Sequence, residues 1–510
     1  MESHESHISA RFKNPPFIHL SLQLPSPDLI RMASQTIELE SGNDVDEINP
    51  IFSQVLSSVR LEYLPIYCAT VRKELIETAI ATPIEPVTIE QPLFGSFHVL
   101  FPIKFQDNTR WLLKVPACGS KTQFDHAASA ALRSEALTLR LIRQKTSIPV
   151  PIVYDFDASV DNDLGVPFIL MSFIPGQSLY DSWFDRSIPQ TELYSRRTRT
   201  LQDLAQAMVQ LHQFSFTHGG SPSFNEEGAL TDIGPMRCVD HDGMIKRMTT
   251  ASDDDVTPLY FNAGPFTDAK SYYFHAINHQ AEPDQSLQVG LQKLVRLFLD
   301  WIPEVSAHEH HFVLTHPDLD IQNIIVSQDG HIQGIIDWDG VAALPRSVGN
   351  ERYPSWLTRD WDPAMYGWDE DMERGVEPTG LWEDSPLTLA RHRKEYRQFI
   401  QFYSPPPPPP DQPTGLTAHS LFVENLLIAA ENPICRYDIL RKFVDRIVEL
   451  VSQNPDRTSL TETGKSGGED TTAEERLGIF DIIDAFMSGT FESGVKSMLR
   501  KGFEALLQSE

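Results

Sequence analysis

Hydrophobic and polar positions along the chain predict strands first and mostly helices afterwards. Apolar residues alternate with polar ones over residues 95–115, with a break at the turn 106–108, and this pattern predicts a β-hairpin. Residues 127–145 are largely strong helix formers without proline or glycine, so they predict a helix. The apolar run 168–174, closed by a Pro-Gly pair, has the length of a buried strand.

The second half of the chain predicts a helical body around a few short strands. Apolar residues recur mostly every three or four positions over 200–214, which indicates an amphipathic helix. Residues 312–315 and 324–326 predict a strand pair, and residues 332–337 predict a third strand after a turn. Strands with one helix, followed mostly by helices, predict an α+β fold of two unequal lobes.

The composition of the segments predicts five parts. They are a mobile N-terminal tail (1–50), a first lobe (51–175), a second lobe (176–453), a flexible linker (454–473) and a C-terminal helical segment (474–510). The hexaproline 405–410 is expected to form a stiff loop, with recruitment of a proline-binding module as the alternative. An apolar stripe in the last segment predicts contact with the core, with a partner site as the alternative. The stripe consists of Ile479, Ile482, Ile483, Phe486 and Met487.

Composition and charge narrow the possible partners. With 41% hydrophobic residues among 510, the chain can form a sizeable core. Its 42 basic and 71 acidic residues give a formal charge of -29, which disfavours nucleic acids and anionic membrane surfaces as partners. A cationic small molecule is compatible with this charge, although solubility alone also explains it.

The cysteines and the N-terminal residues suggest a location. The four cysteines form no Cys-x-x-Cys pair, so they indicate neither a zinc ribbon nor a disulfide framework. No apolar run reaches the length of a membrane span, and the first residues lack a secretory or transit pattern. A cytosolic (cytoplasmic) protein is therefore expected.

One loop carries the strongest chemical signal. It reads His316-x-Asp318-x4-Asn323 between two hydrophobic strands, and Asp337 follows at the end of a further strand. Phosphoryl transfer needs a carboxylate that accepts the proton of the acceptor hydroxyl, and Asp318 is placed for it. Asn323 and Asp337 offer the oxygen ligands that Mg²⁺ prefers, and His316 would brace the loop. Each residue alone is more often part of an ordinary capped loop.

This motif resembles the aminoglycoside phosphotransferase family and the related choline-kinase-like enzymes. The resemblance implies a two-lobed protein-kinase-like fold, with a small β-sheet N-lobe that binds ATP and a larger, mainly helical C-lobe. It implies a catalytic role for Asp318 and magnesium binding by Asn323 and Asp337. Pro317 stands where the family usually has glycine, and Asp320 where histidine is common. These departures concern the substrate more than the reaction.

The resemblance also assigns a lysine and a glutamate in the first lobe. Lys114, on a predicted strand, would hold the α- and β-phosphates of ATP, and Glu135, in the following helix, would orient it. By themselves, the two would be ordinary surface residues.

Two further segments are expected to contact the nucleotide by the same resemblance. The backbone around Ser96 and Phe97 would approach the phosphates, although this turn has only one glycine and looks like any tight hairpin end. Ser172, Phe173 and Ile174 would form the hinge between the lobes and face the adenine.

The function expected from the sequence is ATP- and Mg²⁺-dependent phosphorylation of a hydroxyl on a small molecule. The sequence has no Walker motif, no Gly-x-Gly-x-x-Gly loop and no Gly-x-Ser-x-Gly elbow between a predicted strand and a predicted helix, which argues against P-loop, Rossmann and serine-hydrolase classes. The alternative is a non-catalytic kinase-like protein that binds a nucleotide or a protein partner. The acidic run 369–371 could contact a basic substrate, but it more simply faces water.

Overall fold

The computed structural model describes residues 50–76, 87–250, 259–304, 311–404, 415–453, 477–491 and 493–509. The predicted N-terminal tail (except residue 50), the hexaproline and the linker 454–473 lie outside the described residues. No helix among those described is long and apolar enough to cross a membrane.

The first lobe is an antiparallel sheet with one long helix on its inner face. The strands are β1 (Thr88–Ile89), β2 (Leu93–Phe94), β3 (His98–Lys104), β4 (Arg110–Pro116), β5 (Val153–Asp157) and β6 (Phe168–Ser172). Their order is β1-β3-β4-β6-β5, and β2 pairs with β3. The predicted hairpin is β3–β4, whose turn contains Asn108 at φ +66° and is closed by a bond from the Thr109 amide to Asp107 Oδ1 (3.0 Å).

Alternation along β6 separates two hydrophobic clusters. Phe168 and Leu170 join an outer cluster under the N-terminal helices, whereas Ile169 and Met171 face the inner cluster. The helices of the first lobe are α1 (Ser53–Ser58), α2 (Leu64–Ile76) and α3 (His126–Lys145). The Asp125 side chain caps α3 through the Ala128 amide (2.7 Å). The inner face of the sheet therefore belongs to the same core as the second lobe.

The second lobe is mainly helical. Its helices are α4 (Leu179–Trp183), α5 (Gln190–Val209), α6 (His241–Thr250), α7 (Ala269–His279), α8 (Ser286–Trp301), α9 (Glu370–Glu373), α10 (Pro386–Tyr403), α11 (Leu416–Glu431), α12 (Pro433–Gln453), α13 (Ile479–Ser488) and α14 (Ser493–Leu507). Helix α5 begins ten residues before the predicted stretch and ends in a 3₁₀ turn, Gln210–Gln213. The predicted α+β, two-lobed kinase-like fold is confirmed.

Short strands of the second lobe form several small sheets. They are β7 (Gln177–Ser178), β8 (Ser215–Phe216), β9 (Ser221–Phe224), β10 (Leu230–Gly234), β11 (Met236–Val239), β12 (Tyr260–Ala263), β13 (Phe312–Thr315), β14 (Ile324–Val326), β15 (Ile332–Ile335) and β16 (Ala342–Pro345). The predicted pairing of β13 with β14 is wrong: β13 lies between β16 and β8, and β14 lies between β15 and β7. The loop from β13 to β14 therefore joins two sheets.

The C-terminal helices pack on the second lobe. Ile479, Ile482 and Ile483 on α13 are buried, as the predicted core contact requires. A Cβ atom at Gly290 of α8 would overlap the Ile483 side chain, and one at Gly502 of α14 would overlap Ile447. Only glycine lets these helices approach so closely.

Leucine-to-alanine substitution at two contrasting positions tests this core. Leu314 on β13 is 1% exposed, and Leu387 on α10 is 84% exposed. Leu314→Ala is expected to lower the free energy of unfolding by about 2–5 kcal/mol, because it removes buried methyl groups and leaves a cavity. Leu387→Ala is the control and should change it by less than about 0.5 kcal/mol. Equal effects in urea unfolding would contradict the described burial.

Candidate active site

A buried lysine joins the two lobes. Strand β4 turns Trp111, Leu113 and Val115 towards the outer cluster, so Lys114 points to the opposite face, towards α3. Its Nζ donates to Glu135 Oε1 at 2.7 Å and to Asp337 Oδ1 at 2.8 Å. The structure therefore brings together the predicted Lys–Glu pair and one predicted magnesium ligand.

The charges of this triad stabilise one another. Burial disfavours the charge of Lys114, but Asp337 and Glu135 outweigh it and raise the lysine pKa above its ordinary value. Burial raises the pKa of Glu135 to about 7 despite the lysine. Burial would also raise the pKa of Asp337, but the charge of Lys114 prevails and holds the pKa of Asp337 below its ordinary value. Lys114 and Asp337 thus form a charged pair at neutral pH.

The loop after β13 holds two predicted residues in contact. Asn323, in the 3₁₀ turn Ile321–Asn323, donates from Nδ2 to the Asp318 carbonyl (2.9 Å) and to Asp318 Oδ2 (3.0 Å). Gln322 Nε2 donates to the same carboxylate oxygen at 3.2 Å. Burial, together with the charges of Asp320 and Asp337, raises the pKa of Asp318. A carboxylate with a raised pKa is a stronger base than an ordinary one.

His316 braces this loop, as predicted from the sequence. Its Nε2 lies 2.9 Å from the Ile336 carbonyl, and its Nδ1 accepts from the Asp318 amide at 3.2 Å. A carbonyl can only accept, so the proton must be on Nε2. Burial lowers the pKa of His316 to about 4, which keeps the ring neutral. One imidazole thereby links the segment of Asp318 to the segment of Asp337.

Asp337 lies at a strained point of the backbone. Its φ is +59°, in the left-handed region that non-glycine residues seldom adopt. The Ile336 amide donates to the Asn323 carbonyl (2.9 Å), and Trp338 Nε1 donates to the Ile335 carbonyl (3.0 Å). These bonds hold the turn after β15 beside Asn323, and such strain is often retained at functional sites.

Two arginines that no sequence pattern indicated also support the loop: Arg352, which is buried, and Arg359, which is partly buried. Arg352 Nη2 donates to the carbonyls of His316 (3.0 Å) and Pro317 (3.1 Å), and its Nη1 lies 3.1 Å from Glu424 Oε1. The second arginine, Arg359, pairs with Asp320, the residue of the motif that stands where the family commonly has histidine. The distance from Arg359 Nη2 to Asp320 Oδ2 is 2.8 Å.

The segment predicted as the phosphate turn (Ser96, Phe97) and the one predicted as the hinge (172–174) differ in exposure and in backbone hydrogen bonds. Ser96 is exposed, and Phe97 lines a cavity beside Lys114. At the hinge, the amide of Ser172 donates to Ile152 (2.9 Å) and that of Phe173 to Arg110 (3.2 Å), so neither is free for a ligand. Among the described residues, no hydrogen bond involves the Ile174 amide.

A cavity of about 270 Å³ opens beside Lys114, between α3, the phosphate turn and strands β11 and β12. His98, Glu135 and Asp339 line it, with ligand atoms within 4.8 Å of one another. The three could hold a cation, but Glu135 is already bonded to Lys114, whose charge opposes a cation there.

A second cavity, of about 200 Å³, lies beside Asp318. Asp362, Glu424 and Glu431 also line it. Asp362 is 3% exposed, and neither carboxylate oxygen has a hydrogen-bond partner of ordinary geometry among the described residues. Its pKa is raised to about 6 by burial, which prevails over favourable contacts with the Cys435 thiol and the Ala364 amide.

The acidic run 369–371 does not line either cavity. Asp369 caps α9 through the Met372 amide (3.0 Å), and Asp371 pairs with Arg374 on the surface. The run 369–371 is therefore better explained as facing water, whereas Asp362, Glu424 and Glu431 are acidic residues that do line the second cavity.

Comparison with known proteins shows what this chain is similar to. The model of the phosphotransferase enzyme family matches residues 104–346. A solved structure of aminoglycoside phosphotransferase APH(4)-Ia aligns with a TM-score of 0.37 and 14% identity, over 86% of this chain and 99% of that one. A mutant of it, in complex with AMP-PNP and hygromycin B, aligns with a TM-score of 0.37 and 11% identity, over 87% and 98%.

Curated relatives match smaller parts of their own length. "Altered inheritance of mitochondria protein 9, mitochondrial" is 28% identical in Candida tropicalis, over 28% of this chain and 23% of that protein. The protein of the same name in Lachancea thermotolerans is 22% identical, over 55% and 51%. A subtelomeric hrmA-associated cluster protein of Aspergillus fumigatus is 23% identical, over 52% and 60%. The chain thus matches less than two thirds of each relative.

These relatives contradict the expectation of a cytosolic protein, because the Candida and Lachancea proteins are named as mitochondrial. The expectation depended partly on scattered free thiols, which fit any reducing compartment and so do not indicate the cytosol. Over residues 104–346, the chain is similar to the phosphotransferase enzyme family, and the resemblance drawn from its sequence is confirmed.

Proposed function

We propose that this protein transfers the γ-phosphoryl group of ATP, in the presence of Mg²⁺, to a hydroxyl group of a small molecule. The observation that carries this proposal is the meeting of Asp318, Asn323, Asp337 and Lys114 in one cleft. A carboxylate base, two oxygen ligands and a phosphate-binding lysine are the parts that phosphoryl transfer requires.

The residues present fit a hard divalent cation. Asp337 uses Oδ1 for Lys114, and no described residue donates to its Oδ2. Asn323 uses Nδ2 for Asp318, and no described residue donates to its Oδ1. Both oxygens are ligands of the kind that Mg²⁺ prefers. When bound, Mg²⁺ would neutralise charge on the phosphates.

The remaining steps belong to side chains of this protein. Asp318 would hold the acceptor hydroxyl and accept its proton as the new P–O bond forms. Asn323 fixes the Asp318 carboxylate, and His316 and Arg352 fix the backbone that leads into Asp318. Lys114, held by Glu135, would orient the α- and β-phosphates. Such positioning supplies much of the rate enhancement in this class of reaction.

The second cavity supports a cationic acceptor. It adjoins Asp318, and Asp362 places there a buried carboxylate that forms no ion pair with the described residues. An ammonium group would give this carboxylate a cationic partner, and a buried charge without one is costly. An amine that carries a hydroxyl group is therefore the proposed class of acceptor.

Substitution of two aspartates tests the reaction. Asp318→Asn should lower turnover by roughly 10³-fold or more and leave ATP binding within about threefold, because only proton acceptance is lost. Asp337→Asn should abolish the Mg²⁺ dependence of ATP binding, measured by calorimetry. Full turnover in Asp318→Asn would refute the mechanism. A wild-type protein that binds no ATP with Mg²⁺ would favour a non-catalytic protein.

The cationic acceptor has its own test. After a screen of hydroxylated amines for ATP consumption, Asp362→Asn should raise the KM of the active amine about 10- to 100-fold, since a buried charge pair is lost. The KM of ATP should stay unchanged. Asp371→Asn, on the surface, is the matched control. An unchanged KM for the amine in Asp362→Asn would exclude Asp362 as its partner.

Glu431, in the same cavity, predicts a pH effect on stability. Burial and the nearby Glu424 raise its pKa from 4.5 to about 7, so the folded state retains a proton that the unfolded chain releases. This stabilisation is complete below about pH 4.5 and disappears as the pH rises through 7. As the pH rises between these values, the free energy of unfolding, measured in urea, should therefore fall by about 1–3 kcal/mol less in Glu431→Gln than in the wild type. Glu227→Gln, on an exposed turn, is the control, and parallel curves for wild type and Glu431→Gln would contradict the raised pKa.

A further inference from the structure

A segment of the second lobe reaches across to the first lobe. We call it the strap: residues 219–239 and 260–266, which include β9 to β12. At one end, Gly220 and Ala343 exchange backbone hydrogen bonds (3.0 and 2.8 Å), which fixes the strap to β16. Two residues further along, the Pro222 carbonyl accepts a hydrogen bond from Ser134 Oγ on α3 at 2.8 Å. The strap therefore contacts both lobes.

The strap places an arginine in the cavity beside Lys114. Arg237 on β11 lies with its guanidinium carbon 3.5 Å from the centre of the Tyr260 ring on β12. Its Nη2 lies 3.9 Å from Cys118 Sγ, just beyond the end of β4. The ring of Tyr260 is in turn 6.4 Å from that of Phe97 in the phosphate turn. These contacts restrict the side chain and direct its charge into the cavity.

Arg237 differs from Lys114 in its charge balance. Lys114 is neutralised by two carboxylates, Glu135 and Asp337. No carboxylate of the described residues lies within 4.0 Å of the Arg237 guanidinium. Arg237 thus brings to the cavity a positive charge that has no carboxylate partner in the part of the chain that the structure describes.

We propose that Arg237 binds the terminal phosphates of the nucleoside triphosphate. This inference rests on the proposed function. The turn with Phe97 and the side chain of Lys114, both expected at the phosphates, line the same cavity as Arg237. A triphosphate placed among Glu135, Asp337 and Asp339 needs a cation beyond Lys114, and the planar guanidinium matches phosphate oxygens in pairs.

The proposal gives the strap a role in the reaction. Because Arg237 belongs to the second lobe and the phosphate turn to the first, a bound triphosphate would be held from both sides. AMP lacks the β- and γ-phosphates and should not engage Arg237. The contribution of Arg237 is therefore expected to depend on the number of phosphates.

The test compares ATP with AMP by calorimetry on the full chain, with Mg²⁺ present. Arg237→Gln should weaken ATP binding about tenfold or more, because a charge-assisted contact is lost, and change AMP binding by less than about twofold. Arg237→Lys keeps the charge but not the planar guanidinium, so its affinity for ATP should lie between those of the wild type and Arg237→Gln. The matched control is Arg133→Gln, which removes an arginine that joins α3 to the strap at Asn225, outside the cavity.

Three results would overturn the proposal or its basis, and they can be told apart. Affinities for both ATP and AMP that match the wild type in both Arg237 variants would refute the phosphate contact alone. An equal loss for ATP and AMP, shared by Arg133→Gln, would show that Arg237 only secures the strap. Absence of ATP binding in the wild type would refute the proposed function and, with it, this inference.

Discussion

The ion pair between Lys114 and Asp337 is the interaction on which the cleft depends. Lys114 belongs to the sheet of the first lobe, and Asp337 follows β15 in the second, so their 2.8 Å contact sets where the lobes meet. A buried ammonium group is costly unless carboxylates surround it, and Glu135 provides the second one. A nucleotide whose phosphates contact Lys114 must replace part of the contact between Lys114 and the carboxylates. Its affinity therefore reflects the difference between the new lysine–phosphate contacts and the lysine–carboxylate contacts that are lost.

In the second lobe, polar side chains fix the loop that contains Asp318. His316 reaches Ile336, Arg352 reaches two loop carbonyls, and Arg359 pairs with Asp320. Asp320 departs from the common histidine of the family, and its partner Arg359 compensates for that departure with a charged contact. The loop can therefore retain its shape although a residue of the motif has changed.

The sequence predicted elements whose signals are local. The hairpin β3–β4, helix α3 and the loop with Asp318 and Asn323 all follow from alternation, helix propensity or motif spacing. The pairing of β13 was predicted wrongly, because its partners β8 and β16 are distant in the chain and leave no mark in its own periodicity. Arg352 and Asp362 were missed as site residues for a similar reason, since each acquires its meaning from neighbours on other elements.

The close packing at Gly290 and Gly502 has a consequence for shortened forms of this protein. Helices α13 and α14 cover apolar surface on α8 and α12, at contacts where a side chain larger than hydrogen does not fit. A fragment that stops before residue 477 would present that surface to water. Exposed apolar patches of this kind promote association. Such a fragment would be expected to aggregate even though every residue of the cleft is still present.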